Sequence, residues 1–434
     1  MKDKINIFWF RRDLRLEDNT GLYHALKAGI PVLPIFIFDT EILDKLENKL
    51  DARVEFIHNA LTEIDTELRK YNSSLLTLAG KPADVFMKLT DEYDISEVFT
   101  NHDYEPYAIK RDSEIDRLLS SKGIKFNTFK DQVIFEKNEV VKPDGKPYSI
   151  YTPYSKTWRA QFNPKDIEEF PLKDRQNNFY KIEASLLSLD EIGFKKTGMS
   201  FPSKVVREDI IKNYGNTRDI PSIDGTSRLS VHLRFGTVSP RRLVKLALKL
   251  SDVWLSELIW REFFMMILYH YPHSALSSFK PEYGRIKWRN DETEFNAWCK
   301  GETGFPIVDA GMRELNATGF MHNRVRMITA SFLCKDLLID WRWGERFFAE
   351  KLLDYEMSSN VGNWQWAAGT GCDAAPYFRI FNPASQQEKF DPELSYVKKW
   401  VPEYGSFSYH KPMVDHKAAR ERTLIAYKKA LDRL

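Results

Sequence analysis

Ile5-Asn6-Ile7-Phe8-Trp9-Phe10 is the run from which the fold is read. It is short, apolar and rich in β-forming residues, and it ends abruptly at Arg11-Arg12-Asp13-Leu14-Arg15. Comparable runs recur at 31–38, 74–78, 97–100 and 125–129, and helix-like stretches lie between them at 20–27, 52–71, 82–91 and 107–121. Strand alternating with helix in this rhythm predicts an α/β domain over residues 1–130, a doubly wound (Rossmann-like) parallel sheet covered on both faces. The arginine-rich segment after the first run replaces the glycine fingerprint of a dinucleotide fold, so ordinary NAD binding is not expected there.

Residues 131–200 read as a connector punctuated by Pro143, Gly145, Pro147, Pro153, Pro164 and Pro171, long enough to wrap a surface and partly pack. From 201 to 434 the strand rhythm stops. Apolar positions take helical spacing at 254–269, 306–315, 323–338 and 345–353, which predicts an all-α domain.

The chain has 434 residues, 14% of them aromatic, with 11 Trp and 29 Phe. Aromatic-rich cores explain this, and so does a flat ligand held between rings. With 64 basic and 62 acidic residues the net charge is only +2, so any affinity for nucleic acid must come from local clustering. Cys299, Cys334 and Cys372 are widely spaced, and the nine histidines show no metal-ligand spacing. Neither a disulfide framework nor a metal is expected. The charged start, Met1-Lys2-Asp3-Lys4, does not resemble a signal peptide, and no run is long and apolar enough to span a membrane. A cytoplasmic monomer is the expectation.

Five groups of residues carry candidate chemistry. Asp354-Tyr355-Glu356-Met357-Ser358-Ser359-Asn360-Val361-Gly362-Asn363-Trp364-Gln365-Trp366 mixes carboxylates, amides and indoles, a poor composition for an ordinary helix core. Buried polar groups there need partners, and a polar aromatic ligand would supply them. Gly225-Thr226-Ser227-Arg228-Leu229-Ser230 makes an anion cradle if it opens a helix; taken alone, an N-cap with a surface arginine is the plainer reading. Trp254, Glu257, Trp260 and Arg261 form one mixed stripe, although an i,i+4 pair between Glu257 and Arg261 also explains the charges. Met321-His322-Asn323-Arg324-Val325-Arg326-Met327 offers an amide for a base edge and arginines for phosphate, or simply a solvated basic face. The basic C-terminal stretch around Lys398, Lys399, His410, Lys411, Lys417, Arg420 and Arg422 reads mostly as solvated surface.

Taken together, these motifs resemble the photolyase/cryptochrome family, most closely the bacterial class I cyclobutane pyrimidine dimer photolyases. The resemblance starts at Phe8–Arg15 and is densest from Gly225 to Asp391. It implies an antenna domain followed by a helical domain holding FAD. Tyr214, Thr226, Ser227, Arg228, Leu229, Ser230, Trp254, Arg261, Asp354, Glu356 and Asn360 match the family's FAD contacts, and Asn360 matches the residue facing flavin N5. Glu257, Trp260, Asn323, Arg324, Met327, Trp366 and Gln386 match the lesion pocket and its DNA-facing rim. Arg218 matches a phosphate contact. Trp364, Trp341 and Trp288 match an electron-transfer row running from flavin to surface. The implied substrate is DNA containing pyrimidine dimers, and the catalytic residues are Glu257 and Asn360.

The chain departs from that pattern in places. Glu356 stands where aspartate is usual. Tyr107 and Ala108 replace the asparagine-glutamate pair of folate-binding relatives, so a deazaflavin or flavin antenna is favoured over methenyltetrahydrofolate. The loop between Pro402 and His410 is shorter than in many relatives. Asn323 and Met327 stand where (6-4) photolyases carry histidines, which argues against that lesion. A cryptochrome-type blue-light photoreceptor is the alternative; its members usually extend further than Leu434 allows.

Overall fold

The computed structural model describes residues 3–431. Met1, Lys2 and Leu434, on which the expectations about the two ends rest, lie outside them. The chain forms two compact units. One takes the residues up to Glu136 together with Gln161–Val205 and Arg228–Lys249; the other takes Lys137–Ala160, Val206–Ser227 and the residues from Leu250 onward.

The first unit is built on five parallel strands: β1 (Lys4–Phe10), β2 (Val32–Asp39), β3 (Leu76–Gly80), β4 (Asp94–Asn101) and β5 (Lys125–Phe129), in the order β3-β2-β1-β4-β5. The period-2 alternation of β1 explains why it is buried on both sides. Ile5, Ile7 and Trp9 pack with Phe86, Leu89, Ile115 and Leu119 from the helices Pro82–Glu92 and Pro106–Ser121. Phe8 points the other way, against the helix Thr20–Lys27, where a Cβ on Gly21 would sit 2.9 Å from its ring. The doubly wound sheet is therefore as expected. In such a sheet the place where strand order reverses lies beside β1 and β4. Here that place is occupied by ion pairs. Arg12 reaches Asp103 and Glu105, each at 3.1 Å, and Arg234 reaches Glu105 at 3.1 Å. Burial alone would raise the Asp103 carboxyl, but Arg12 and Arg234 outweigh it and hold it below the usual carboxylate range. The arginines that displaced the glycine fingerprint are thus engaged with carboxylates.

Of the residues read as a connector, 161–200 fall in the first unit and pack with the sheet. Phe179 bridges to Val32, Tyr180 N–H donates to the Val32 carbonyl at 2.8 Å, and Leu189 and Phe194 form a small core with Val54.

The second unit is helical, with its largest core around Trp298, Met312, Phe332, Trp341 and Trp364. The helix expected over 323–338 divides in two: an α-helix, Asn323–Ser331, followed by a π-turn, Phe332–Asp336. The wider turn carries Lys335, which is buried. Its Nζ donates to the Ala368 carbonyl at 2.8 Å and the Tyr377 carbonyl at 3.3 Å, and lies 3.9 Å from the Tyr427 ring centre. Burial pulls this ammonium down to about 7. The unfolded chain keeps that proton up to the ordinary lysine range, so between about pH 7 and pH 10 the unfolded state binds more protons than the folded one. Stability contributed by this group therefore rises with pH across that window. Lys335→Met is expected to flatten the rise, as read from denaturant midpoints at pH 7 and pH 9.5. No helix among the described residues is long and apolar enough to cross a membrane.

Candidate functional site

The helix Asp252–His270 supplies one side of the site. Ser251 caps it, its side chain accepting from Trp254 N–H at 3.3 Å. Glu257 and Arg261 sit one turn apart, yet each takes a different partner. Glu257 accepts from Arg218, and Arg261 reaches Glu356 at 3.2 Å. The stripe thus ties three separate segments together. Burial raises the Glu257 carboxyl, and Arg218 opposes the shift. Trp260 stacks face to face on Tyr151, ring centres 3.6 Å apart, and the Tyr151 hydroxyl donates to the Ser256 carbonyl at 2.9 Å. Burial also raises the Tyr214 phenol, which lies beside Arg218.

The stretch that reads poorly as a helix core is one from Met357 to Ala368. Tertiary contact explains it. A Cβ on Gly362 would stand 2.2 Å from the Phe264 ring, so the glycine lets this helix lie directly against Asp252–His270. Glu356 occupies the N-cap but makes no side-chain cap bond; its carboxylate is turned to Arg261.

This helix and Asn323–Ser331 border a cleft open to solvent, about 590 Å³ with its mouth included. Of the expected residues, Asn323, Met327, Asp354, Glu356, Asn360, Trp364 and Trp366 line it. Arg326 lines it too, fixed by Asp354 at 2.9 Å and by the Met321 carbonyl at 2.7 Å. Asn360 donates from Nδ2 to Glu345 Oε1 at 2.9 Å and to the Glu345 carbonyl at 3.1 Å, which leaves its own carbonyl oxygen to accept. Burial raises the Glu345 carboxyl, and the bond from Asn360 draws it back. Arg326 and Tyr355 were visible in the quoted motifs but had no assigned part. Tyr151 and Glu345 carried no sequence signal, since each acts through a partner more than a hundred or about fifteen residues away.

The other expected residues are placed as follows. Arg324 pairs with Asp219 at 2.7 Å and lies 4.3 Å from the Phe390 ring centre, on the helix Pro383–Phe390 that also carries Gln386. Thr226 and Ser227 follow Gly225, where a Cβ would collide with Thr217 at 2.7 Å. Arg228 adopts a left-handed φ of 51°, Leu229 is buried, and Ser230 opens the helix Ser230–Phe235. Those three belong to the first unit, whereas Thr226 and Ser227 belong to the second. Trp364 and Trp341 share the large core, and Trp288 packs against it.

Gly344, on the helix Trp341–Lys351, is tightly held: an added Cβ would meet the Trp364 ring at 2.1 Å and Leu333 at 2.6 Å. Alanine ordinarily favours a helix over glycine by about 1 kcal/mol. Overpacking a buried ring costs about 1–3 kcal/mol and opposes that gain. Gly344→Ala is expected to lower the unfolding free energy by up to about 2 kcal/mol, measured by urea titration.

Indole walls, the free amide oxygen of Asn360 and the fixed Arg326 in one cleft suit a large, flat, hydrogen-bonding ligand, and FAD fits that description. Known proteins point the same way. Residues 6–173 match the DNA photolyase family model, and residues 254–408 match the model of the FAD binding domain of DNA photolyase. The deoxyribodipyrimidine photo-lyase of Vibrio cholerae is 38% identical, over 98% of this chain and 100% of that protein. Among solved structures, a class III photolyase from Agrobacterium tumefaciens superposes with a TM-score of 0.87 at 33% identity, covering 100% of this chain and 98% of the other. An archaeal photolyase from Sulfolobus tokodaii, solved with two FAD molecules, gives 0.84 at 35% identity, over 98% and 99%. A Synechocystis cryptochrome gives 0.85 at 25% identity, over 98% and 99%. Matched from its first strand to its C-terminal helices, the chain belongs to the DNA photolyase family.

Proposed function

We propose that this protein repairs cyclobutane pyrimidine dimers in DNA with light. The observation that carries the reading is the cleft in which Asn323, Met327, Asn360 and Trp366 converge within the FAD-binding domain. FAD, when bound and reduced, supplies the photochemical electron, and the protein binds, orients and tunes.

Tyr214, Thr226, Ser227, Arg228, Leu229, Ser230, Trp254, Arg261, Asp354, Glu356 and Asn360 hold the cofactor. Asn360 would present its carbonyl to the flavin, and Glu345 fixes which way its amide faces. Glu356, one methylene longer than the usual aspartate, is held by Arg261. For the lesion, Trp260 and Trp366 form walls, with Tyr151 bracing Trp260 from behind. Asn323, Arg324, Met327 and Gln386 form the rim, and Arg218 meets a phosphate. The lesion has to leave the helix to enter, a base-flipping step of the kind already described for photolyases. Its arrival replaces Arg218 on Glu257 by the pyrimidine edge. Glu257, whose carboxyl burial raises, then faces the carbonyl and N–H edge of the pyrimidine.

A deazaflavin or flavin is the favoured antenna: Ala108 is buried and brings no carboxylate, and Tyr107 is bound to Asp39 at 2.6 Å. The enzyme acts in the cytoplasm as a monomer, with no obligate protein partner.

The test is illumination of the reduced protein with an oligonucleotide carrying a single cyclobutane thymine dimer, beside a (6-4) lesion and a dark control. Restored thymine in the lit dimer sample alone is the expected result. Failure on both lesions, with FAD bound and photoreducible, would point to a photoreceptor.

A further inference from the structure

We infer that a cationic groove between the turn Pro281–Arg285 and the helix His416–Leu431 receives a small anionic one-electron reductant that restores Trp288 after it has given up an electron. The inference rests on the proposed place of Trp288 at the surface end of the tryptophan row.

The groove takes in about 840 Å³, open to solvent, and among the described residues its charged lining is Arg285, Lys287, Arg422 and Lys429, with no carboxylate. Arg285, Lys287 and Lys429 are exposed, and no ion pair is formed by them among the described residues. The contrast with their neighbour is informative. Arg289, two residues beyond Lys287, is neutralised by Glu294 at 2.7 Å. Arg422 donates from Nη2 to the Asp336 carbonyl, but its Nε is buried without a hydrogen-bond partner. Four positive charges around one concavity attract anions and raise their rate of arrival.

The floor of the groove leads to the indole. Ala426 and Ala430 line the groove and belong to the small apolar cluster containing Tyr427. Trp288 packs edge-on against the Tyr427 ring, centres 6.0 Å apart. An anion seated in the groove is therefore about one side chain from Trp288. The same cations disfavour a positive charge on that indole, and a bound anion offsets them.

The chemistry balances with the reductant as the only co-reactant. The Trp288 indole radical cation takes one electron. An enediolate monoanion such as ascorbate gives it, becomes a radical anion and releases one proton to water. No bond to the protein forms or breaks.

Flash photolysis of the FAD-loaded protein tests this. The return of the tryptophan radical is followed with ascorbate as the anionic donor and hydroquinone as the neutral one, at low and high salt. In Lys287→Glu/Lys429→Glu the second-order constant for ascorbate at low salt is expected to fall about tenfold or more. The hydroquinone constant should stay within about twofold, and added salt should erase the difference. Iodide quenching of Trp288 fluorescence, taken as the wild-type signal minus that of Trp288→Phe, should weaken in the same variant, with acrylamide quenching unchanged. Equal ascorbate constants in both proteins, or equal losses with both donors, would overturn the groove assignment. A Trp288→Phe protein that photoreduces as fast as wild type would instead overturn the row itself, and with it the donor's purpose. Both lysines are exposed, so the double variant should keep the wild-type unfolding midpoint.

Discussion

Trp341→Phe is expected to slow photoreduction of the oxidised cofactor by roughly tenfold or more, equivalent to at least about 1.4 kcal/mol on the barrier. Repair by enzyme reduced beforehand should stay within about twofold of wild type on the same scale. The argument is chemical. Indole gives up an electron far more readily than a phenyl ring, so phenylalanine fills the space and interrupts the proposed row between Trp364 and Trp288. The variant is also structurally mild. Trp341 is buried in the large core, but its Nε1 has no hydrogen-bond partner, so no polar group is orphaned when the indole goes. Most of the ring volume remains, and the loss stays well below the about 3–5 kcal/mol of truncation to alanine. Steady illumination with an external donor reads photoreduction, and single-dimer oligonucleotide repair reads catalysis. Equal loss of both activities would remove Trp341 from the relay and leave it a core residue.

The parts of this molecule legible in its sequence are those set by local periodicity. Lys125–Phe129 and Thr20–Lys27 emerge with the boundaries expected, because a five-residue β-branched or aromatic run and an eight-residue amphipathic one each carry their signal internally. The helix Trp341–Lys351 begins four residues before its apolar pattern does. Asp340 caps it, accepting from Arg342 N–H at 3.0 Å, and a cap of that kind has no periodicity to announce it. The π-turn Phe332–Asp336 was equally hidden: its cause is the inward position of Lys335, fixed by the carbonyls of Ala368 and Tyr377 more than thirty residues away. Met357–Ala368 shows the same limit from the other side. Its polar, glycine-bearing composition argues against a helix locally, and only the Phe264 ring against Gly362 shows why small residues are needed. The site followed this division. Residue types rich enough to suggest a ligand, such as Asn360 and Trp366, stood out in the chain. Glu345 and Tyr151, which orient Asn360 and Trp260, did not, since positioning residues are defined by what they touch.

Glu257→Ala is expected to lower the yield of dimer repair about tenfold or more, because a hydrogen bond involving an ionisable group is worth about 1.5–3 kcal/mol. Binding of dimer-containing DNA should change much less, and in the direction of tighter rather than weaker. In the protein alone Glu257 is the carboxylate paired with Arg218, and both side chains are about one third exposed, 36% and 35%. Removing the carboxylate leaves Arg218 hydrated rather than buried, so the fold should tolerate the change. It also frees the guanidinium for a DNA phosphate. Yield and affinity thus separate in this variant, which a merely destabilised protein would not show. Glu257→Gln keeps a donor and an acceptor at the pyrimidine edge and should recover part of the yield. Its affinity for DNA should follow Glu257→Ala, since the amide no longer holds Arg218 by charge. Repair yield is read per absorbed photon on pre-reduced protein, and affinity by titration of a labelled duplex at fixed salt. A yield unchanged in both variants would take Glu257 out of the site and leave the Arg218 pair as a structural contact of the helix Asp252–His270.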